Sequence, residues 1–247
     1  MGSNPAYIVL PGKRVCMGVN CTAVLRVNLS YQAMKIINNQ VFPDDKWIGW
    51  IDRLAEDDIV IADDFLPANL FRTIMDFAYD VEEENRLDKA GIGSSNQFKV
   101  VSEIRGDYIY WLDRQRDEPL KPFFQLMDEL TEKLKRYCFL SLAGSEFHLA
   151  KYPPNSFYKR HLDQFKERSN RQITVLIYFN ENWMPGDGGE LKAYKKDREL
   201  LIEPVANRLV LFKSDTIEHE VLPTRVPRYS LTGWLLRQPK SVGYLLG

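Results

Sequence analysis

The stretch SEFHLAKYPPNSFYKRHLDQFKERSNRQITVLIYF, residues 145–179, decides the fold class. Ser145 to Tyr152, Phe157 to Leu162 and Gln172 to Phe179 are short runs rich in β-branched and aromatic residues. Pro153-Pro154-Asn155 punctuates the first pair. Runs of this length broken by turn residues read as strands. The pattern continues to the C-terminal side through Gly189 to Tyr194, Leu200 to Glu203, Arg208 to Phe212, His219 to Leu222 and Tyr229 to Leu236. Pro185-Gly186-Asp187-Gly188 and Ala206-Asn207 supply further turns. Eight short strands so spaced indicate a β-sandwich or jelly roll.

Upstream the periodicity changes. Leu120, Phe123, Phe124, Met127, Leu130, Leu134 and Cys138 form an apolar stripe that predicts an amphipathic helix over 118–139, bracing the sheet. Helices are also expected from Asp44 to Leu54, capped by Asp44 or Asp45, and from Phe65 to Glu82. Ile59 to Ala62, Phe98 to Ile104 and Tyr108 to Leu112 read as strands, the last two joined at Arg105-Gly106-Asp107. Residues 84–97, with Gly91 and Gly93, read as a loop. The fold class expected is α+β, a double-stranded β-helix (jelly roll) with N-terminal and bracing helices. Its core runs from about residue 98 to 237 within a domain over 41–247. Residues 1–40 lack strong periodicity and are set apart as an extension, either foreign to the domain that could start at Met34 or a strand-like arm.

Composition excludes several classes. A net charge of −1 gives no global field for nucleic acid or anionic membranes. No apolar run reaches the ~20 residues of a membrane span, and Lys13 and Arg14 interrupt the only apolar stretch near the N-terminus. Three cysteines, Cys16, Cys21 and Cys138, are too few and too odd for a disulfide framework and suit a cytoplasmic protein.

The chain has three histidines, His148, His161 and His219. His161 and Asp163 share a strand face at i and i+2, and His219 on a later strand could complete a 2-His-1-carboxylate set, which leaves coordination positions open and suits iron(II) oxygenases. Alone, His-x-Asp also describes a solvated strand end. Nine residues after His219, Arg228 opens a strand that reads as buried, Tyr229 to Leu236; a guanidinium there can grip a carboxylate with two parallel hydrogen bonds. Thr174, Leu176 and Tyr178 share a face, as do Arg228, Thr232 and Trp234. His148 shares parity with Tyr152, which puts it toward the same pocket, although a lone histidine is more often structural and it is not counted as a ligand.

In this order, these residues resemble the 2-oxoglutarate, iron(II)-dependent oxygenases, and among them the prolyl hydroxylases of the hypoxia-inducible-factor (EGL-nine) type and their bacterial relatives. The resemblance runs from about Ile59 to Arg237. It is carried by Ile104-Arg105-Gly106-Asp107 with Trp111, Tyr152-Pro153-Pro154, His161-Leu162-Asp163-Gln164-Phe165, Ile177-Tyr178-Phe179-Asn180, Gly188-Gly189-Glu190-Leu191, and His219-Glu220-Val221 with Pro223. It implies that His161, Asp163 and His219 bind Fe(II), that Arg228 and Tyr178 hold the distal carboxylate of 2-oxoglutarate with Thr232 adding a hydroxyl, and that Tyr152 lies near its keto-acid end. It further implies that Arg171 and Asp107 pair at the substrate entrance, and that the loop from about Arg86 to Gln97 covers the substrate.

The activity implied is hydroxylation of a prolyl residue in a partner protein by dioxygen, with succinate and carbon dioxide released and ascorbate keeping the iron reduced. Neither nucleic acid nor membrane is an expected partner. A more charged segment after Asp163 (Lys166, Glu167, Arg168) and the short chain beyond Arg237 point to a bacterial relative. The alternatives are an oxygenase acting on another residue or a small molecule, and a non-catalytic jelly-roll binding protein.

Overall fold

A computed structural model describes residues 7–10, 13–16, 41–91, 104–164 and 170–237. The chain divides into two units, residues 1–43 and 44–247. In the first, β1 (Tyr7–Leu10) and β2 (Lys13–Cys16) pair antiparallel, Tyr7 opposite Cys16. Cys21 and Met34 lie outside the described residues.

The second unit is a double-stranded β-helix with helices on one side. Helix α1 (Asp44–Asp57) opens with two acidic residues, which suit the positive end of the helix dipole. It buries Trp47, Trp50, Ile51 and Leu54, three turns of one face. Strand β3 (Ile59–Ala62) follows, then α2 (Ala68–Glu83), entered through Pro67. The two-residue strand β4 (Asp88–Lys89) pairs with β5 (Tyr108–Trp111). A 3-10 turn over Glu118–Leu120 leads into α3 (Lys121–Cys138), whose Pro122 sits in the first turn, where its missing N–H costs nothing. The predicted apolar stripe of α3 is buried except for half-buried Cys138. The helix packs against α1, and α1 packs on β3.

The remaining strands are β6 (Leu142–Tyr152), β7 (Tyr158–His161), β8 (Arg171–Tyr178), β9 (Leu191–Tyr194), β10 (Glu199–Ile202), β11 (Leu209–Lys213), β12 (Glu218–Val221) and β13 (Arg228–Arg237). They form a larger sheet in the order β3-β11-β8-β13-β6-β5-β4 and a smaller one in the order β10-β9-β12-β7. All the strand pairings between them are antiparallel. All eight C-terminal strands read from sequence are present, shifted by one to three residues at their ends. The strand expected from Phe98 to Ile104 falls almost wholly outside the described residues.

Between the sheets, Leu176, Tyr178, Leu191, Val210, Phe212 and Val221 belong to one buried cluster. Burying a side chain of this size contributes about 2 kcal/mol. The alternation that buries these residues also turns every second residue of β6, β13 and β8 inward, and the site is built from those.

Candidate metal and co-substrate site

His161 and His219 are brought together by one ladder: on the smaller sheet they are direct cross-strand partners on β7 and β12. Their ring centroids lie 4.4 Å apart. Asp163, two residues past the end of β7, completes the group, with Oδ1 3.6 Å from Nε2 of His161 and Oδ2 3.7 Å from Nε2 of His219. One ligand atom from each residue lies within 4.8 Å of the others. The two imidazoles are fixed from behind. Nδ1 of His161 is 2.7 Å from the Lys159 carbonyl, and Nδ1 of His219 is 3.2 Å from the Ile217 carbonyl. With Nδ1–H donating there, each Nε2 turns its lone pair toward Asp163.

The electrostatics agree with a ligand set. Burial pushes His219 down to about 4, so its ring is neutral at physiological pH. Burial alone would raise the Asp163 carboxyl, but the two imidazoles and the Thr174 hydroxyl outweigh it and hold it below the ordinary carboxylate range. Thr174 donates to Asp163 Oδ2 at 2.7 Å and also contacts the Ser214 hydroxyl at 2.8 Å. Tyr158 stacks on His161, centroids 3.8 Å apart, and Phe212 meets the His219 ring edge-on at 4.8 Å. Two imidazole nitrogens and one carboxylate, converging from one side, are the donor set of non-haem iron(II) sites.

Arg228, the first residue of β13, is 1% exposed. Its Nε donates to the Gly189 carbonyl at 2.7 Å and its Nη1 approaches the Ser230 hydroxyl at 3.4 Å. Gly189 must be glycine: its φ is +78°, and a Cβ there would lie 2.9 Å from Cδ of Arg228. The guanidinium carbon sits 4.9 Å from the ring centres of both Tyr152 and Tyr178. Nη2 of Arg228 and the hydroxyl of fully buried Tyr178 have no partner among the described residues. Buried donors are almost always satisfied, and a guanidinium N–H beside a phenol O–H fits one carboxylate.

The triad and Arg228 open into the same cavity of about 360 Å³, which Tyr152, Thr232, Ser230 and Leu176 also line. A volume of that order suits a small organic acid.

The entrance differs from the sequence expectation. Arg171 and Asp107 do not pair. Asp107 is fully buried and is held by Arg105, whose Nε and Nη2 reach its two carboxylate oxygens at 2.7 and 2.5 Å. Arg171 instead lies across β13, its guanidinium stacked 3.4 Å over the Trp234 ring, and pairs with Glu146 of β6 at 2.7 Å. The reason is position: Asp107 is two residues from Arg105, whereas Trp234, directly opposite Glu146, stands beside Arg171 and guides its side chain. Arg105 therefore replaces Asp107 in the cavity wall, with its guanidinium 4.4 Å over the Tyr158 ring. Reading parity within Arg105-Gly106-Asp107 could have found this pair; Thr174, Gly189 and Ser230 carry no comparable signal of their own. Gly91 lines the cavity, while residues 92–103 and 165–169, including Gly93, Lys166, Glu167 and Arg168, lie outside the described residues.

Residues 147–236 match the family model of the 2OG-Fe(II) oxygenase superfamily. A prolyl-4-hydroxylase from Pseudomonas putida is 36% identical and superimposes with a TM-score of 0.71, covering 78% of this chain and all of that one. The chain belongs to the 2-oxoglutarate, iron(II)-dependent oxygenase superfamily. Other members resemble it closely. A Trichoplax adhaerens prolyl hydroxylase, solved with a hypoxia-inducible-factor degradation-domain peptide, is 26% identical with a TM-score of 0.71, over 78% of this chain and 89% of that one. The hypoxia-inducible factor prolyl hydroxylase of Caenorhabditis elegans is 31% identical over 195 residues, 71% of this chain but only 26% of that protein. This oxygenase thus spans about a quarter of its worm relative's length. Among the described residues, no helix is long and apolar enough to cross a membrane.

Proposed function

We propose that this oxygenase hydroxylates a prolyl residue of a protein substrate, consuming 2-oxoglutarate and dioxygen and releasing succinate and carbon dioxide. The observation that carries the reading is one cavity lined both by a His-Asp-His group and, on the facing sheet, by Arg228, whose buried Nη2 has no partner among the described residues and whose guanidinium lies 4.9 Å from the ring of buried Tyr178. His161, Asp163 and His219 would hold iron(II). When bound, iron(II) supplies dioxygen activation coupled to decarboxylation of the keto acid.

The chain's own part is to bind, orient and keep water out. Arg228 and Tyr178 take the distal carboxylate in a buried setting, where a charge-assisted pair of hydrogen bonds is strong. Thr232 and Tyr152 bound the co-substrate on the same wall. Arg171, stacked on Trp234, and Arg105, braced by Asp107, shape the mouth where a peptide would enter. The prolyl preference is supported by the named activities of the Pseudomonas, Trichoplax and worm relatives. The catalytic domain is assigned to residues 41–247, ascorbate is the expected reductant, and the compartment proposed from the sparse cysteines is the cytoplasm.

The test is incubation of the iron-loaded protein with 2-oxoglutarate, labelled dioxygen and a library of proline-centred peptides, with tandem mass spectrometry locating the label. One labelled oxygen on a prolyl ring is the expected result. Succinate release with label only on another residue type or on a small molecule contradicts the prolyl assignment.

A further inference from the structure

The polar wall at the level of the metal group contains a residue that the triad and the carboxylate clamp do not use. His148 lies on β6, opposite Thr232 of β13 on one side and Trp111 of β5 on the other. It is 4% exposed and lines the cavity together with the triad and Arg228. Its ring is held between Trp111, 4.9 Å away, and Trp234, 5.4 Å away. Nδ1 of His148 and Nε1 of Trp234 are both buried, and neither has a partner among the described residues. Burial, joined by the nearby cations of Arg105 and Arg171, pushes the imidazole down to about 3, so it is neutral and carries one N–H. Two unpartnered ring nitrogens side by side in a cavity wall are hydrogen-bonding capacity awaiting an occupant.

The register says what passes in front of them. Arg228, Ser230, Thr232 and Trp234 form one inward file along β13, and His148 and Tyr152 stand in the neighbouring file on β6. The clamp end of the cavity is marked by Arg228, whose cross-strand partner is Tyr152, so Tyr152 stands beside the clamp and not at the keto-acid end expected from sequence. The triad end is marked by Thr174, which holds Asp163 and is the cross-strand partner of Trp234. His148 therefore sits toward the triad end, not the clamp end. A dicarboxylic keto acid gripped at Arg228 presents its other, keto-acid end there. That end carries acceptor oxygens, which an imidazole N–H can meet.

The geometry points to His148 as a positioning residue for the co-substrate: its neutral imidazole, steadied between Trp111 and Trp234, donates to the keto-acid end of 2-oxoglutarate and so selects a 2-oxo acid over a plain dicarboxylate. This rests on the co-substrate reading above and adds to it a donor outside the ligand set and the arginine clamp.

The test uses the full chain loaded with manganese(II), titrated with 2-oxoglutarate and separately with succinate, which keeps the distal carboxylate but lacks the keto acid. Binding is read from the fluorescence of the tryptophans flanking the site. His148→Met is expected to weaken 2-oxoglutarate about tenfold, the effect of one lost hydrogen bond to a charged group, and to leave succinate unchanged. His148→Gln, which keeps a donor, is expected to recover most of the loss. The thermal midpoint of His148→Met should not fall, because the substitution removes a buried Nδ1 that has no partner among the described residues and keeps an apolar filling between Trp111 and Trp234. Unchanged 2-oxoglutarate affinity in His148→Met overturns the inference. So does equal loss of both ligands without rescue by glutamine, or a collapse in thermal midpoint, either of which marks His148 as structural. Wild-type protein that binds neither acid while Arg228→Ala behaves identically overturns the co-substrate reading itself; wild-type binding with an indifferent His148 overturns only this inference.

Discussion

The hydroxyl of Thr174 donates to Oδ2 of Asp163 at 2.7 Å, linking the centre of the larger sheet to the one carboxylate of the metal group. Asp163 lies outside any strand, two residues beyond β7, and the segment after Gln164 is outside the described residues. The Thr174 bond holds one of its two oxygens. Outer partners of this kind typically tune metal affinity ~10–100-fold. Thr174→Val, which keeps the shape and removes the hydroxyl, should weaken iron(II) or manganese(II) binding by about that factor while the circular dichroism spectrum stays unchanged. Calorimetric titration with manganese(II) measures it. Wild-type affinity in the variant would mean that the bond does not orient the carboxylate.

Arg228 is a buried cation whose Nη2 has no partner among the described residues, an arrangement that costs folding energy. Arg228→Met should raise the thermal midpoint of the ligand-free protein and reduce 2-oxoglutarate affinity by roughly a hundredfold or more, since a charge-assisted pair is lost. Differential scanning fluorimetry with and without 2-oxoglutarate reads both effects in one experiment. A variant that is less stable and still gains stability from the ligand would remove Arg228 from the clamp.

Asp107 and Arg105 form the most buried ion pair at the site, with side chains 0% and 13% exposed. Removing one partner of such a pair leaves an uncompensated charge, which costs about 3–5 kcal/mol. Asp107→Asn should therefore lower the urea midpoint strongly. Arg171→Gln should cost less, because its ion-pair partner Glu146 is partly exposed. Comparable losses from the two substitutions would contradict this assignment of partners.

Acid should destabilise the metal-free protein in a window set by its buried histidines. The ordinary value of 6.5 for His148 falls to about 3 in the folded chain, and that of His219 to about 4. Below the unfolded value, the unfolded chain takes up a proton that the folded chain refuses. The stability linked to these rings is therefore complete above pH 6.5 and declines as pH drops toward the folded values, at up to about 1.4 kcal/mol per pH unit for each ring. In chelator-treated samples the urea midpoint should fall from pH 6.5 to pH 5, and His148→Met should flatten that slope. Parallel curves for the two proteins would show that His148 takes up no extra proton on unfolding.

The strands were legible because β-branched and aromatic runs alternate with proline, glycine and asparagine turns, and the bracing helix because its stripe repeats at 3.6 residues. The convergence of His161, Asp163 and His219 was legible because the chain has only three histidines and two have the right neighbours: His161 has Asp163, and His219 has Arg228 nine residues on. What could not be read is set by cross-strand register. Nothing local says that Thr174 stands under Asp163, or that Trp234 lies between Arg171 and Glu146. Lys133, in the middle of the apolar run of α3, is buried because Asp44 at the start of α1 meets it, a pairing fixed by helix packing alone. The Arg171–Asp107 pairing failed for the same reason, since both charges were placed by analogy of position and not by the strands that carry them.

The central claim, that the triad and the arginine clamp act together on 2-oxoglutarate, is tested most directly by succinate formation from 2-oxoglutarate with iron(II), ascorbate and air, comparing the wild type with His161→Ala and Arg228→Ala. The account predicts succinate from the wild type, none from His161→Ala, and a sharply raised requirement for 2-oxoglutarate in Arg228→Ala. Wild-type protein that neither forms succinate nor retains 2-oxoglutarate in the presence of iron(II), or variants that match the wild type, would contradict it.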